Sequence, residues 1–400
     1  MITSNSTQLS AYTLLTALGK GKAAHLKAIF EKRSGLRHCD FAKIKLDTYI
    51  GRVADIEAYP LPDEFSEYES RNNRLAFQGL HTDDFYEKLK TAITCYGNKR
   101  IGLVYGTTTS GFLQAESAYQ NRDSNGALPE DFNYFKTTHP FATPAFLRDY
   151  LKLQGPAFTV ATACSSSAKA FVHADRLLKA NFCDAVLVAG VDSLCANILY
   201  GFNSLDILDN KACQPADQNR AGLSLGEAAA FALLERSTND SIQLLGYGES
   251  SDAHHMSAPH PESIGATMAM QQALQMAGIT PQIIDYINLH GTASQLNDKL
   301  ENEAIFKLFS NTVASSSTKG FTGHTLGAAG AVEIVLSALC IEHGVKPCSL
   351  NTTQIDENCR SHILLENEIG PVNIVLNNSF GFGGNNCSVI LGRKGKNKCN

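Results

Sequence analysis

A duplicated α/β fold is predicted for this 400-residue chain, and three observations predict it. From about Arg100 onward, apolar strands alternate with apolar helices. The same strand, turn and helix style occurs twice, and the strands are continuous hydrophobic runs, as in sheets covered on both faces. With 44% hydrophobic and 18% charged residues, the composition is ordinary for a globular protein and the length allows a large core.

The elements follow in chain order. Residues 1–90 are mixed and charged with weak periodicity, which predicts a helical cap or insertion outside the core. RIGLVYGTTTSG (100–111) reads as a buried strand ending in a Gly/Thr turn, and FTVATACSSSAKAFVHADRLLKANFCDAVLVAGVDSL (158–194) as strand, turn, long helix and strand. In that helix Ala170, Phe171, Ala174, Leu177 and Leu178 recur at three- and four-residue steps and form one apolar face. In the second half IIDYINLHGT (283–292) is a strand ending in polar residues. LGAAGAVEIVLSALCIEHG (326–344) is an apolar helix closed by Gly344, and VNIVLNNSFGFGGNNCSVIL (372–391) is strand, glycine turn and strand. The expected division is an N-terminal half with its cap, 1–240, and a C-terminal half, 241–400.

Composition excludes several classes. A net charge of -5 gives no reason to expect nucleic acid as a partner. Eleven cysteines, an odd number with no CxxC pair or zinc spacing, suggest neither a disulfide framework nor a metal site, and point to reduced thiols in a cytoplasm. The opening MITSNSTQLSAYTLLTALGKG has no basic region ahead of its apolar stretch, so no signal peptide is expected. No run approaches the roughly 18 apolar residues of a membrane span. GTTTSG and GFGG fit neither a phosphate loop nor a dinucleotide fingerprint, so no nucleotide cofactor is expected.

Three residues stand where chemistry is done. Cys164 lies where the strand FTVATA stops and a helix begins; the helix dipole there favours thiolate, and a tight turn can aim backbone N–H groups at an oxyanion. His290 ends the strand DYINL, and His324 lies in KGFTGHTLGAAG just before a helix. A Cys/His/His set suits carbon–carbon bond formation, because neutral imidazoles can stabilise an enolate through N–H without a metal.

Five motifs in order, TACSSSAKA, SDAHHMSAPHPE, LHGTASQLND, STKGFTGHTLGAAGAVE and NNSFGFGGNN, resemble the β-ketoacyl-acyl-carrier-protein synthases of the type I/II class and the related polyketide ketosynthases. CQPADQNRAGLSLGEAAAFALLE is similar to that family's segment ending in a glycine–glutamate pair; the likeness covers about 100–392, with ESRNNRLAF (69–77) a weaker extension. The resemblance implies a thiolase-like fold, with duplicated halves forming a five-layer α-β-α-β-α core. It further implies that Cys164 takes the acyl chain as a thioester, with its own N–H and that of Phe382 as the oxyanion hole. His290 and His324 would promote decarboxylation of malonyl-carrier and stabilise the enolate, supported by Lys319 and Glu333. Thr292 and Ser294 would bind the phosphopantetheine arm, and Phe382 would gate the site. The implied partners are acyl carrier protein and either a second copy or a related ketosynthase or chain-length subunit. No cofactor beyond the carrier's own phosphopantetheine is implied.

The chain departs from the family pattern in three places. The glycine-rich opening strand is missing, Ser294 replaces a threonine, and CSSS is closer to polyketide ketosynthases, including aryl polyene types. Two other readings fit parts of the pattern. A coenzyme A-dependent thiolase would use a second cysteine, for which Cys387 is the candidate. A non-catalytic chain-length subunit would lose the nucleophile, whereas Cys164, His290 and His324 are all present.

Overall fold

The computed structural model describes residues 6–42, 44–236 and 241–393. Ten strands carry the architecture: β1 (Thr7–Thr16), β2 (Ile101–Gly106), β3 (Ala157–Val160), β4 (Ala185–Asp192), β5 (Ala228–Arg236), β6 (Ile242–Ser251), β7 (Tyr286–Asn288), β8 (Ala314–Ser316), β9 (Ile374–Gly381) and β10 (Asn385–Arg393). They run through one sheet in the order β8-β7-β9-β10-β6-β1-β5-β4-β2-β3. From the centre outward the two halves repeat one pattern. β1 is antiparallel to β5 and β5 to β4, which is parallel to β2, itself parallel to β3. β6, β10, β9, β7 and β8 follow the same sequence of directions. The halves join where β1 pairs with β6 at Thr7/Leu244 and Gln8/Gln243. The expected division at 240 falls in 237–240, outside the described residues.

Period-two alternation sorts each strand's side chains into layers. In β4, Val186 and Val188 face the middle of the molecule, and Ala185, Leu187, Ala189 and Val191 face an outer layer. That outer layer holds α1 (Arg71–Leu80), α2 (Phe85–Tyr96) and α3 (Ala142–Leu151). The middle layer holds α4 (Ser166–Lys179) and α7 (Ala329–His343), and the far one α5 (Ile264–Ala277) and α6 (Gln295–Phe309). The result is the expected five-layer, thiolase-like sandwich. α7 is apolar all round because sheets cover both its sides. Leu326–His343 is the one helical stretch among the described residues long and apolar enough to cross a membrane, and 89% of it is buried in the fold.

One expectation fails. The opening segment is not a helical cap: Thr7–Thr16 is a central strand, antiparallel to both β5 and β6. TQLSAYTLLT buries Leu9, Ala11, Leu14 and Leu15, but its interspersed Thr, Ser and Gln residues hide the pattern in sequence. The helices α1 and α2 are not a separate cap either, since they pack on the outer face of the first half-sheet.

A buried histidine beside β1 predicts a pH effect. His25 accepts from Thr16 Oγ1 through Nε2 (2.8 Å) and donates through Nδ1 to Gly21 O (2.7 Å), and burial lowers it to about 4. Between pH 6.5 and 4 the unfolded chain therefore binds the proton that the fold refuses. Stability is full above 6.5 and falls by about 3 kcal/mol as pH drops through that window. Urea titrations at pH 7 and 4.5 should show a smaller difference for His25→Gln than for the unsubstituted protein.

Candidate active site

The nucleophile sits on a sharp turn. Ala163 adopts φ 52°, a left-handed conformation that non-glycine residues rarely take, and throws Cys164 to the head of α4. The serines after it hold that turn. Ser165 Oγ donates to Thr162 O (2.9 Å), and Ser166 Oγ donates to Ala163 O (2.5 Å) while accepting from Thr162 N (2.9 Å). None of Ser165, Ser166 and Ser167 is among the residues lining the cavity that reaches Cys164.

Cys164 lies at the base of a cavity of about 510 Å³, whose walls include His290, His324, Thr292, Ser294, Phe202 and Phe382. His324 Nε2 is 3.1 Å from Cys164 Sγ, and the two imidazoles stand perpendicular with centroids 5.4 Å apart. Burial, with the Lys319 ammonium adding to it, drives both histidines well below their ordinary range, so both are neutral at neutral pH. Their tautomers follow from their partners. Leu326 N–H donates to His324 Nδ1 (3.2 Å), and Lys319 Nζ lies 3.4 Å from His290 Nδ1. Each Nδ1 is therefore an acceptor, and each Nε2 carries the proton. Two N–H donors result, one aimed at the thiol and the other beside it. The sulfur and the imidazole nitrogens lie within 4.8 Å of one another, as metal ligands might, but Nε2 protonation and the adjoining ammonium disfavour a cation there.

Lys319 and Glu333 form a buried ion pair, and Lys319 also donates to the His290 carbonyl. Burial raises the Glu333 carboxyl to about 7, with Lys319 opposing that rise. Thr292 and Ser294 line the cavity with their hydroxyls 3.1 Å apart.

The thiol departs from expectation. Burial pushes Cys164 up to about 11, against the lowering effects of Lys319 and of the Phe382 N–H that donates to its sulfur. A helix end is not enough to make a thiolate at a buried sulfur. The loop after β9 brings Phe382 N–H to the sulfur, and Gly381 lets it approach. A Cβ on Gly381 would lie 2.8 Å from Thr162 O and 3.2 Å from Cys164 N. Gly381→Ala should push this loop outward and lower turnover by about 100-fold with little loss of stability, as steady-state kinetics and thermal melts would show.

Several positioning groups were not foreseen. Glu301, on α6, accepts from the His290 and Gly291 N–H groups, each at 2.8 Å, and burial raises it to about 7. His324 N–H donates to Ser224 O (2.7 Å) and its carbonyl accepts from Gly226 N–H (2.9 Å), so the LSLGE segment of the first half grips the histidine of the second. Glu227 of that segment pairs with Arg71 of ESRNNRLAF at 2.6 and 2.8 Å. Phe202 stacks on Phe382 (5.7 Å, 13°) across the cavity wall. An acidic residue eleven places after His290 was the only sequence signal for Glu301. Phe202 gave none. Cys387 is fully buried within β10 and is not among the lining residues, so it is not placed as a second catalytic thiol.

Residues 65–240 match the β-ketoacyl synthase N-terminal domain and residues 242–353 the C-terminal domain. A 3-oxoacyl-[acyl-carrier-protein] synthase 2 from Coxiella burnetii is 34% identical over 321 residues, 74% of this chain and 75% of the relative. Among solved structures, a chain of a ketosynthase (ApeO) in complex with its chain length factor (ApeC) from Xenorhabdus doucetiae superposes with TM-score 0.89 at 38% identity, covering 97% of this chain and 98% of that one. A β-ketoacyl synthase from Burkholderia phymatum shares the fold at TM-score 0.86 and 24% identity, covering 98% of this chain and all of that one (100%). Matched in both domains and related over three quarters of its length, the chain belongs to the β-ketoacyl synthase family.

Proposed function

We propose that the chain is a 3-oxoacyl-[acyl-carrier-protein] synthase, an acyltransferase that extends a Cys164-bound acyl group by two carbons in fatty acid or polyketide-type elongation. The observation that carries this reading is the pair of neutral imidazoles presenting Nε2–H beside a thiol at the base of a cavity.

The chemistry follows from these groups. Cys164 attacks the carbonyl of an acyl-carrier thioester: the Sγ–C bond forms, the C–S bond to the carrier breaks, and the thiol proton leaves with the carrier sulfur. Burial raises the thiol, so the proton must leave Sγ as the new bond forms, and it ends on the carrier sulfur. Malonyl-carrier then loses carbon dioxide. Its enolate oxygen is held by the N–H groups of His290 and His324, and its carbon attacks the Cys164 thioester. The N–H groups of Cys164 and Phe382 hold the second oxyanion, and collapse returns the sulfur, which takes up one proton. Lys319 helps keep the histidines neutral and is itself held by Glu333, Thr292 and Ser294 receive the phosphopantetheine arm, and Phe382 swings from Phe202 as the acyl chain enters. No resident cofactor is required.

The partner in each half-reaction is acyl carrier protein. A second reading, the active half of a heterodimer with a chain-length subunit, is supported by the 38% identical structure, a ketosynthase in complex with its chain length factor. Free thiols at all ten described cysteines fit a reducing cytoplasm. The test is reconstitution with acyl-carrier and malonyl-carrier thioesters. A 3-oxoacyl product two carbons longer supports the reading, and its absence, with and without a co-expressed related subunit, defeats it.

A further inference from the structure

The helix that follows His324 starts without a cap of its own. At the head of α7 the N-cap position is Ala328 and the third helical residue is Ala331, where a capping box would place Ser or Thr and Glu or Gln. Both backbone N–H groups that such a box satisfies reach acceptors in the other half of the molecule, Ala331 N–H outright and Ala328 N–H in a bond shared with its own turn. Ala331 N–H donates to Ser167 Oγ (2.8 Å), the second residue of the helix that begins behind Cys164. Ala328 N–H is shared between Thr325 O in its own turn (3.1 Å) and Asp192 Oδ2 at the end of β4 (3.1 Å). Asp192 is fully buried and tied in turn to the GTTTSG turn: it accepts from Thr107 Oγ1 (2.5 Å), Thr108 N (2.9 Å), Thr109 N (2.8 Å) and Thr109 Oγ1 (2.8 Å).

We infer that Ser167 and Asp192 are positioning residues: a capping box supplied across the two halves, which holds the His324 segment in register with Cys164. The packing agrees. A Cβ on Gly330 would lie 2.5 Å from Ala168 N, and one on Gly190 2.7 Å from the Ala331 methyl, so α4, β4 and α7 meet with no slack. Leu326, whose N–H sets the His324 tautomer, takes φ 57° two residues before Ala328, and such a conformation persists only where its surroundings hold it. The third serine of CSSS and the threonines of GTTTSG thereby gain a shared task, with neither side chain of the box touching substrate.

This inference rests on the condensing reading, and its test separates the two. Ser167→Ala and Asp192→Asn would be compared with the unsubstituted protein in condensation and in the pH profile of Cys164 alkylation. Loss of register moves His324 Nε2–H away from Sγ, so kcat falls by about 10- to 100-fold with KM nearly unchanged. In Ser167→Ala, which changes no charge, the alkylation profile also moves to higher pH. A merely structural cap would lower the melting temperature and leave that profile in place. If Asp192→Asn does not fold, Ser167→Ala decides alone. A kcat within about twofold of the unsubstituted protein and an unmoved profile in Ser167→Ala would overturn the inference. Failure of the unsubstituted protein to condense would instead defeat the reading beneath it.

Discussion

Cys164→Ala is expected to abolish acyl loading and to lower condensation by about ten-thousandfold or more, since no other thiol among the described residues lines the cavity. The substitution exchanges a buried thiol for a methyl group on a turn set by Ala163 and held by Ser165 and Ser166, so folding should survive. In the proposed mechanism the donors for the enolate are elsewhere, on His290 and His324. Carbon dioxide release from malonyl-carrier should therefore continue in the variant while chain extension stops. Measuring carbon dioxide and 3-oxoacyl product in the same reaction separates these outcomes.

The second large effect divides the two half-reactions. His290→Ala and His324→Ala should each cost about 100- to 1,000-fold in condensation, the usual consequence of removing one oxyanion donor. In the proposed mechanism acyl loading draws on the N–H groups of Cys164 and Phe382, so His290→Ala should load almost normally. His324→Ala should load more slowly, because Nε2–H lies 3.1 Å from the attacking sulfur. Single-turnover loading and condensation rates for each variant measure the division.

Much of this centre was legible in sequence because its chemistry is local. Cys164, His290 and His324 each stand at the end of an apolar strand or the start of an apolar helix, beside small residues that mark the turn. What could not be read depends on partners far along the chain. β1 escaped because its polar residues blur the alternation and its partners begin at Ala228 and Ile242, more than 200 residues away. The Cys164 thiol was expected to be acidified by the helix end; burial outweighs that effect, and burial is set by the second half closing over the first. The turn at Ala163 was hidden for another reason: alanine gives no signal for a left-handed conformation, which here is held by the serines and by tertiary packing. The cap of α7 was invisible because the residues that make it belong to other elements.

The most direct measurement is intact-protein and peptide mass spectrometry after incubation with a panel of acyl-carrier thioesters, followed by malonyl-carrier. The predicted result is an acyl adduct on the Cys164 peptide that disappears when malonyl-carrier is added, with a carrier-bound chain two carbons longer appearing in its place. A Cys164 peptide that remains unmodified while extended product forms would contradict the covalent account.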